Sequence, residues 1–246
     1  MVPSQESNPH SPVFHTTHWS VVLAASGNEE PDAHAALTRL CQTYWYPLYC
    51  CVRRHGHSPE DAQDLTQAFF AKLLSKKQVA LADPERGRFR TFLLRSLDNF
   101  LHSQHRDATA RKRGGGCELL SLDVQSGEER YQSEPPDNLS PSMIFERQWA
   151  GTTLETVLAG LRSEFSVSGR LELFQALEPH LWGDDTSTPY AAVAESLNMT
   201  VVAVRVTVHR LRQRFHEMLR AEIANTVETL DDIEDELRYL RRVLAS

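Results

Sequence analysis

Apolar residues recur along this chain at three- and four-residue steps, the period of helices with one buried face. A short first stripe runs from Thr17 through Trp19, Val22 and Leu23. Ala36, Leu37, Leu40, Tyr44, Leu48 and Val52 make a second, with Pro47 inside it. A ring without an N–H is expected to kink or split that helix. Ala62, Leu65, Phe69 and Leu73 make a third, widened by Phe70 and Leu74. Ser58 and Pro59 open it as cap and first helical residue, with Asp61 placed as a capping-box acid. A fourth helix, from about Phe89 to Arg113, begins apolar and ends strongly basic. Ser140-Pro141 then opens a helix carrying Ile144, Phe145, Trp149, Leu154, Val157, Leu158 and Leu161. Leu171, Leu173, Phe174 and Leu177 follow on another. No run reads as a strand, so the expected fold class is all-α.

The stretch from Tyr190 to Leu219 has the strongest pattern. Thr188 and Pro189 suit the start of a helix whose face is Tyr190, Val193, Ala194 and Leu197. Asn198 stands where a tight turn needs a residue tolerant of the left-handed conformation. Thr200 caps a second helix with Val204, Val208, Leu211 and Phe215 on one side and Arg205, His209, Arg210, Arg212 and Arg214 on the others. A helical hairpin with a basic second helix is a common means of reaching the major groove. Beyond it, Leu230, Ile233, Leu237 and Leu240 mark a tail helix with acids between them.

Coil-forming composition divides the chain. The expected parts are a flexible lead at 1–16, a helical domain at 17–113, a linker at 114–139, a second helical domain at 140–222 and an acidic tail helix at 223–246. The linker is rich in Gly, Ser, Glu and Pro.

The net charge of -7 argues against a nucleic-acid partner when taken whole. Its distribution reverses that. Eight Lys and Arg residues between Arg86 and Arg113 face only Asp98 and Asp107, and a second basic run spans Arg205 to Arg220. Local charge sets the binding field. The four cysteines form no CxxC pair, which fits reduced thiols in the cytoplasm. No apolar run approaches the ~20 residues of a membrane span, and the N-terminus lacks the blocks of a secretory signal. His55-Gly56-His57 and the scattered His10, His15 and His18 lack a partner acid or cysteine at metal spacing. There is no P-loop and no nucleophile elbow. No catalysis, metal or cofactor is implied.

Three segments together resemble the bacterial RNA polymerase sigma factors, in particular the extracytoplasmic-function (ECF) group of the sigma-70 family. LCQTYWYPLYCCVRRHGHSPEDAQDLTQAFFAKLL is similar to the first core helices of that family. RFRTFLLRSLDNFLHSQHRDATARKR resembles its helix for the -10 promoter element. YAAVAESLNMTVVAVRVTVHRLRQRF resembles its helix-turn-helix for the -35 element. The resemblance covers roughly Leu40 to Leu219 and implies two helical domains, region 2-like and region 4-like. It implies core RNA polymerase and promoter DNA as partners and leaves an anti-sigma factor open.

By resemblance, Asp61, Asp64, Gln67 and Phe70 would meet the clamp helices of the largest polymerase subunit. Carboxylates repel phosphate, so that face suits a protein rather than DNA. Arg88, Arg90, Arg95, Asn99, Arg106 and Lys112 would hold the -10 strand, where arginine and aromatic groups combine phosphate attraction with base contact. Thr200, Val201, Val202, Arg205, His209 and Arg212 would read the -35 element. Val201, Val202, Val206 and Thr207 depart from the polar residues usual there, although apolar groups can still touch thymine methyls. The acids of the tail are expected to shield the basic recognition helix. A stand-alone helix-turn-helix regulator is the alternative, and an adaptor without DNA binding is a third reading. The stand-alone regulator gives no reason for the Ser58–Leu74 helix, and promoter-dependent open-complex formation would exclude the adaptor.

Overall fold

A computed structural model of the protein describes residues 31–73, 88–108, 124–133, 139–183, 188–227 and 231–245. Every regular element among them is helical. The expected helix from Thr17, residues 111–113, and Leu119 to Asp123 lie outside the described residues.

Helix α1 (Pro31–Arg54) runs through Pro47 as one element. The expected split is absent because Tyr44, Trp45, Leu48 and Tyr49 on either side are all buried, and packing holds both halves together. Helix α2 (Pro59–Leu73) starts as the sequence predicts. The Asp61 N–H donates to Ser58 Oγ at 3.1 Å, and the Ser58 hydroxyl donates to Asp61 Oδ2 at 3.0 Å. Helix α3 spans Phe89–Ala108. Helix α4 (Val124–Ser133) falls in the segment whose composition reads as linker.

Helix α5 (Pro141–Val167) is capped by Ser140, whose Oγ accepts from Met143 N–H at 3.3 Å. Helix α6 (Leu171–Leu177) leads into a 3₁₀ turn at Glu178–Trp182. Helix α7 (Tyr190–Ser196) begins with Pro189 in the cap position, one residue later than the Thr188 cap expected from sequence. Asn198 takes a φ of 51°, the left-handed conformation foreseen for that turn. Thr200 Oγ1 accepts from Ala203 N–H at 3.1 Å and opens α8 (Val201–Ala224). Helices α7 and α8 are bent 101° to one another. Helix α9 (Asp232–Leu244) packs against α5 and α8.

Helix α5 is the spine of the molecule. Its first half, with Phe145 and Trp149, joins Tyr44 and Leu48 of α1, Phe89 and Leu93 of α3, Ile223 of α8, and Leu237 and Leu240 of α9 in one core. Tyr44 meets Phe89 edge-on at 5.4 Å and stacks over Phe145 at 6.5 Å. Its second half contributes Leu161 to a separate core with Phe174, Leu177, Val193, Val204, Val208 and Leu211. Each large apolar side chain so buried contributes roughly 1.5–3 kcal/mol.

Helix α4 is held by tertiary contacts rather than by an apolar face. Glu128 accepts from the Tyr49 hydroxyl and pairs with Arg53, Nε at 3.1 Å and Nη2 at 3.0 Å. Burial pushes the Glu128 carboxyl up, but hydrogen bonds from Tyr49, Gln132 and Arg53 outweigh that and hold it below the usual carboxylate range. Gly127 lies against the Trp45 ring, where an added Cβ would meet Cζ3 at 3.0 Å.

Candidate polymerase and nucleic-acid interface

Helix α2 divides cleanly between two faces. Ala62, Thr66, Phe69, Phe70 and Leu73 are buried, while Glu60, Asp61 and Asp64 are exposed and Gln67 is half-buried. Three of the four residues expected to meet a protein partner therefore share an accessible acidic face. Phe70 does not join them. It packs beneath the helix beside Phe69, ring centroids 6.1 Å apart, so it supports this face without presenting itself on it. The sequence already contained the signal: Phe70 adjoins Phe69, in the stripe that packs inward.

Helix α3 carries the candidate strand-binding groups at two different kinds of position. Arg95 and Asn99, four residues apart, are exposed on one face together with His102. Arg88 and Arg90, at the opening of the helix, are engaged by other elements. Arg90 is buried to 3% exposure. Its Nε lies 2.8 Å from Glu146 Oε2 of α5, and its Nη1 pairs with Glu236 Oε1 of α9. The guanidinium lies 4.7 Å from the Trp149 ring and 4.2 Å from that of Tyr239. Arg88 Nε pairs with the other Glu236 oxygen at 3.0 Å, and its guanidinium lies 5.4 Å from Tyr239. The side chain of Arg106, and Lys112 entirely, lie outside the described residues.

Burial dominates the electrostatics of this cluster. It lowers the pKa of Arg90 against the pull of Glu146, and raises that of Glu146 against the pull of Arg90. Desolvation thus outweighs attraction on both partners, as is common for buried ion pairs. Glu146 and Tyr239 were not singled out from the sequence. Glu236 was read only as one of the tail acids, although it interrupts the stripe Ile233, Leu237, Leu240 as an acid at a core position.

The second basic surface is the start of α8. Val201, Val202, Arg205, Val206, His209 and Arg210 are exposed, Val202 to 71%. Thr200 is committed to its cap through Oγ1. Arg205 lies over Tyr190 at 5.7 Å and stays exposed. Arg212 is half-buried and donates from Nε and Nη2 to the His180 carbonyl at 3.0 and 2.7 Å. That clamp ties the 3₁₀ turn to α8 and gives Arg212 a positioning role.

Among the described residues, the tail acids do not cover this surface. The expectation that they shield the recognition helix is corrected: α9 lies across the opposite end of α8, where Arg220 pairs with Glu234, and over the opening of α3. The cause is its apolar stripe. Ile233, Leu237 and Leu240 belong to the core that α1, α3 and α5 share, and that burial sets where the acids fall.

Among the described residues no single helix is long and apolar enough to cross a membrane. No curated protein and no solved structure matches the chain. Residues 42–111, which contain the second half of α1 and all of α2 and α3, match the family model of sigma-70 region 2. That match supports a sigma-70 family member, with a sigma factor's role in binding RNA polymerase and melting promoter DNA.

Proposed function

We propose that this chain is an ECF-type sigma factor acting in the cytoplasm, with a region 2-like domain at 17–113, a linker at 114–139 and a region 4-like domain at 140–222. The exposed acidic face of α2, from Asp61 through Asp64 to Gln67, docks on the polymerase clamp helices. Helix α3 then lies toward the unpaired -10 strand, offering Arg95 and Asn99 directly and Arg88 and Arg90 once their carboxylate partners give way. Helices α7 and α8 read the -35 element. Their 101° bend across four residues lies within the range of DNA-binding helix-turn-helix units. Val201, Val202 and Val206 supply apolar contacts to thymine methyls, and Arg205 and His209 reach base edges or phosphates.

The observation that carries this reading is the pairing, inside one matched segment, of an exposed acidic helix with a helix bearing exposed Arg and Asn. The reaction is not covalent. Binding energy to strand and groove offsets the cost of opening the duplex, and no metal or cofactor is required. An anti-sigma partner has room on the α2 face.

The test is a pull-down of core RNA polymerase by the full chain, comparing wild type with Asp64→Arg and with Asp61→Arg/Asp64→Arg. Asp64→Arg alone reads the interface, because Asp61 also caps α2. Tight binding by wild type and its loss in Asp64→Arg support the proposal. No capture, either by wild type or by the chain lacking residues 228–246, would instead favour a stand-alone DNA-binding regulator.

A further inference from the structure

We infer that helix α9 is an internal competitor for nucleic-acid phosphate: Glu236 fills a cationic notch made by Arg88 and Arg90, and while α9 is docked the opening of α3 is closed to single-stranded DNA. The inference rests on the reading of α3 as the strand-binding helix.

The notch has the chemistry of a phosphate site. Two arginines converge on the two oxygens of one carboxylate, Arg88 on Oε2 at 3.0 Å and Arg90 on Oε1. Arginine forks suit carboxylate and phosphate alike. Glu236 is 0% exposed and Arg90 3% exposed, so with α9 in place Arg90 is closed to other anions and Arg88 keeps only part of its side chain accessible. The charges balance when it is docked: Arg88 and Arg90 against Glu146 and Glu236. With α9 removed, two cations face one anion. They do so at the start of a helix that carries no acid in its first turn, where the helix dipole favours a negative group. Tyr239, one turn beyond Glu236, caps both guanidiniums and leaves with it.

Helix α9 is also built to leave as a unit. It has 13 residues, too few for an isolated helix to persist in water. Its place depends on Ile233, Leu237 and Leu240, on the exposed Arg220–Glu234 pair and on Glu236 itself. A partner or strand that displaces it converts the notch from neutral to cationic in one step.

The experiment measures binding of a labelled short oligothymidylate by fluorescence anisotropy at low salt. It compares the full wild-type chain with Glu236→Gln, Leu237→Ala and the chain lacking residues 228–246. Each variant is expected to bind about tenfold more tightly, as when a competent state held near a tenth becomes dominant. Adding Arg88→Ala to Glu236→Gln should remove the gain. Circular dichroism checks that the variants remain folded. Hydrogen exchange on wild type gives a reading that needs no variant: α9 amides should lose protection at saturating oligonucleotide. Unchanged or weaker binding in folded Glu236→Gln and Leu237→Ala overturns the inference. So does a gain that survives Arg88→Ala, or α9 protection that saturating oligonucleotide leaves intact. Polymerase capture without any gain would sink the competitor and leave the sigma reading standing; a gain without polymerase capture would do the reverse.

Discussion

Replacing Arg90 with alanine tests whether the cluster at the opening of α3 behaves as a buried charge network. Arg90 is 3% exposed and Glu236 is 0% exposed, and the Glu146 side chain retains only 15% of its accessibility. Arg90→Ala leaves Glu236 buried with only the partly exposed Arg88, and Glu146 without the partner that lies 2.8 Å away. Breaking a buried pair by deleting one member costs about 3–5 kcal/mol, because the remaining charge stays desolvated. Contacts of the guanidinium with Trp149 and Tyr239 add to the loss. At about 2–4 °C per kcal/mol for a chain of this size, Tm should fall by about 6–20 °C. Both pKa shifts show desolvation exceeding attraction, so removing charge from both sides should be milder. Arg90→Met/Glu146→Leu, which leaves Glu236 its Arg88 partner, should therefore recover much of the loss. Urea denaturation followed by circular dichroism measures all three proteins. A cost below about 1 kcal/mol for Arg90→Ala, the worth of an exposed pair, would show that water screens the cluster and refute the reasoning.

Two further outcomes follow from the packing of α1. In Gly127→Ala a Cβ would meet Trp45 Cζ3 at 3.0 Å and Cη2 at 3.3 Å, and Trp45 is buried and stacked on Tyr49 at 5.1 Å. The gain in helix propensity, about 1 kcal/mol, is smaller than the upper range of overpacking, about 1–3 kcal/mol, so α4 should exchange its amides faster than in wild type. Burial pushes the Cys41 thiol up to about 11 and the Cys51 thiol up to about 12. Both should resist alkylation at pH 8 in the folded protein and react once urea unfolds it, a difference that mass spectrometry reads directly.

Apart from the cap expected at Thr188, which falls at Pro189, the local signals in the sequence were accurate where chemistry is local. Ser58, Ser140 and Thr200 each cap the helix they precede, and Asn198 takes the left-handed turn. The inward stripes of α2, α7 and α8 follow the same logic, since three- and four-residue spacing alone decides which side chains share a face. The failures are tertiary. Helix α4 has a sequence, VQSGEERYQS, with little to bury; it is ordered by Arg53, Tyr49 and Trp45 from a helix far away in the chain. Pro47 reads as a break, yet packing on both sides carries the helix through it. The acids of α9 were legible as a group, but not their target, which depends on where the Ile233, Leu237 and Leu240 stripe finds a core. Phe70 and Arg90 show the same limit from within the candidate site. Residue type suggested contact with a partner, whereas Phe70 packs beneath α2 and Arg90 is buried against Glu146 and Glu236 while α9 is docked.

Helix α5 has a consequence for the geometry of any promoter this chain reads. Its 27 residues make a strut about 40 Å long, seated at one end in the core beneath α2 and α3 and at the other in the core beneath α7 and α8. While it stays seated, the two surfaces proposed to face DNA are held at one separation, like the jaws of a fixed gauge. A fixed gauge tolerates little change in the number of base pairs between two elements, whereas a tether tolerates a good deal. Transcription from templates whose spacer is lengthened or shortened one base pair at a time would therefore report whether α1 and α5 remain together on the polymerase.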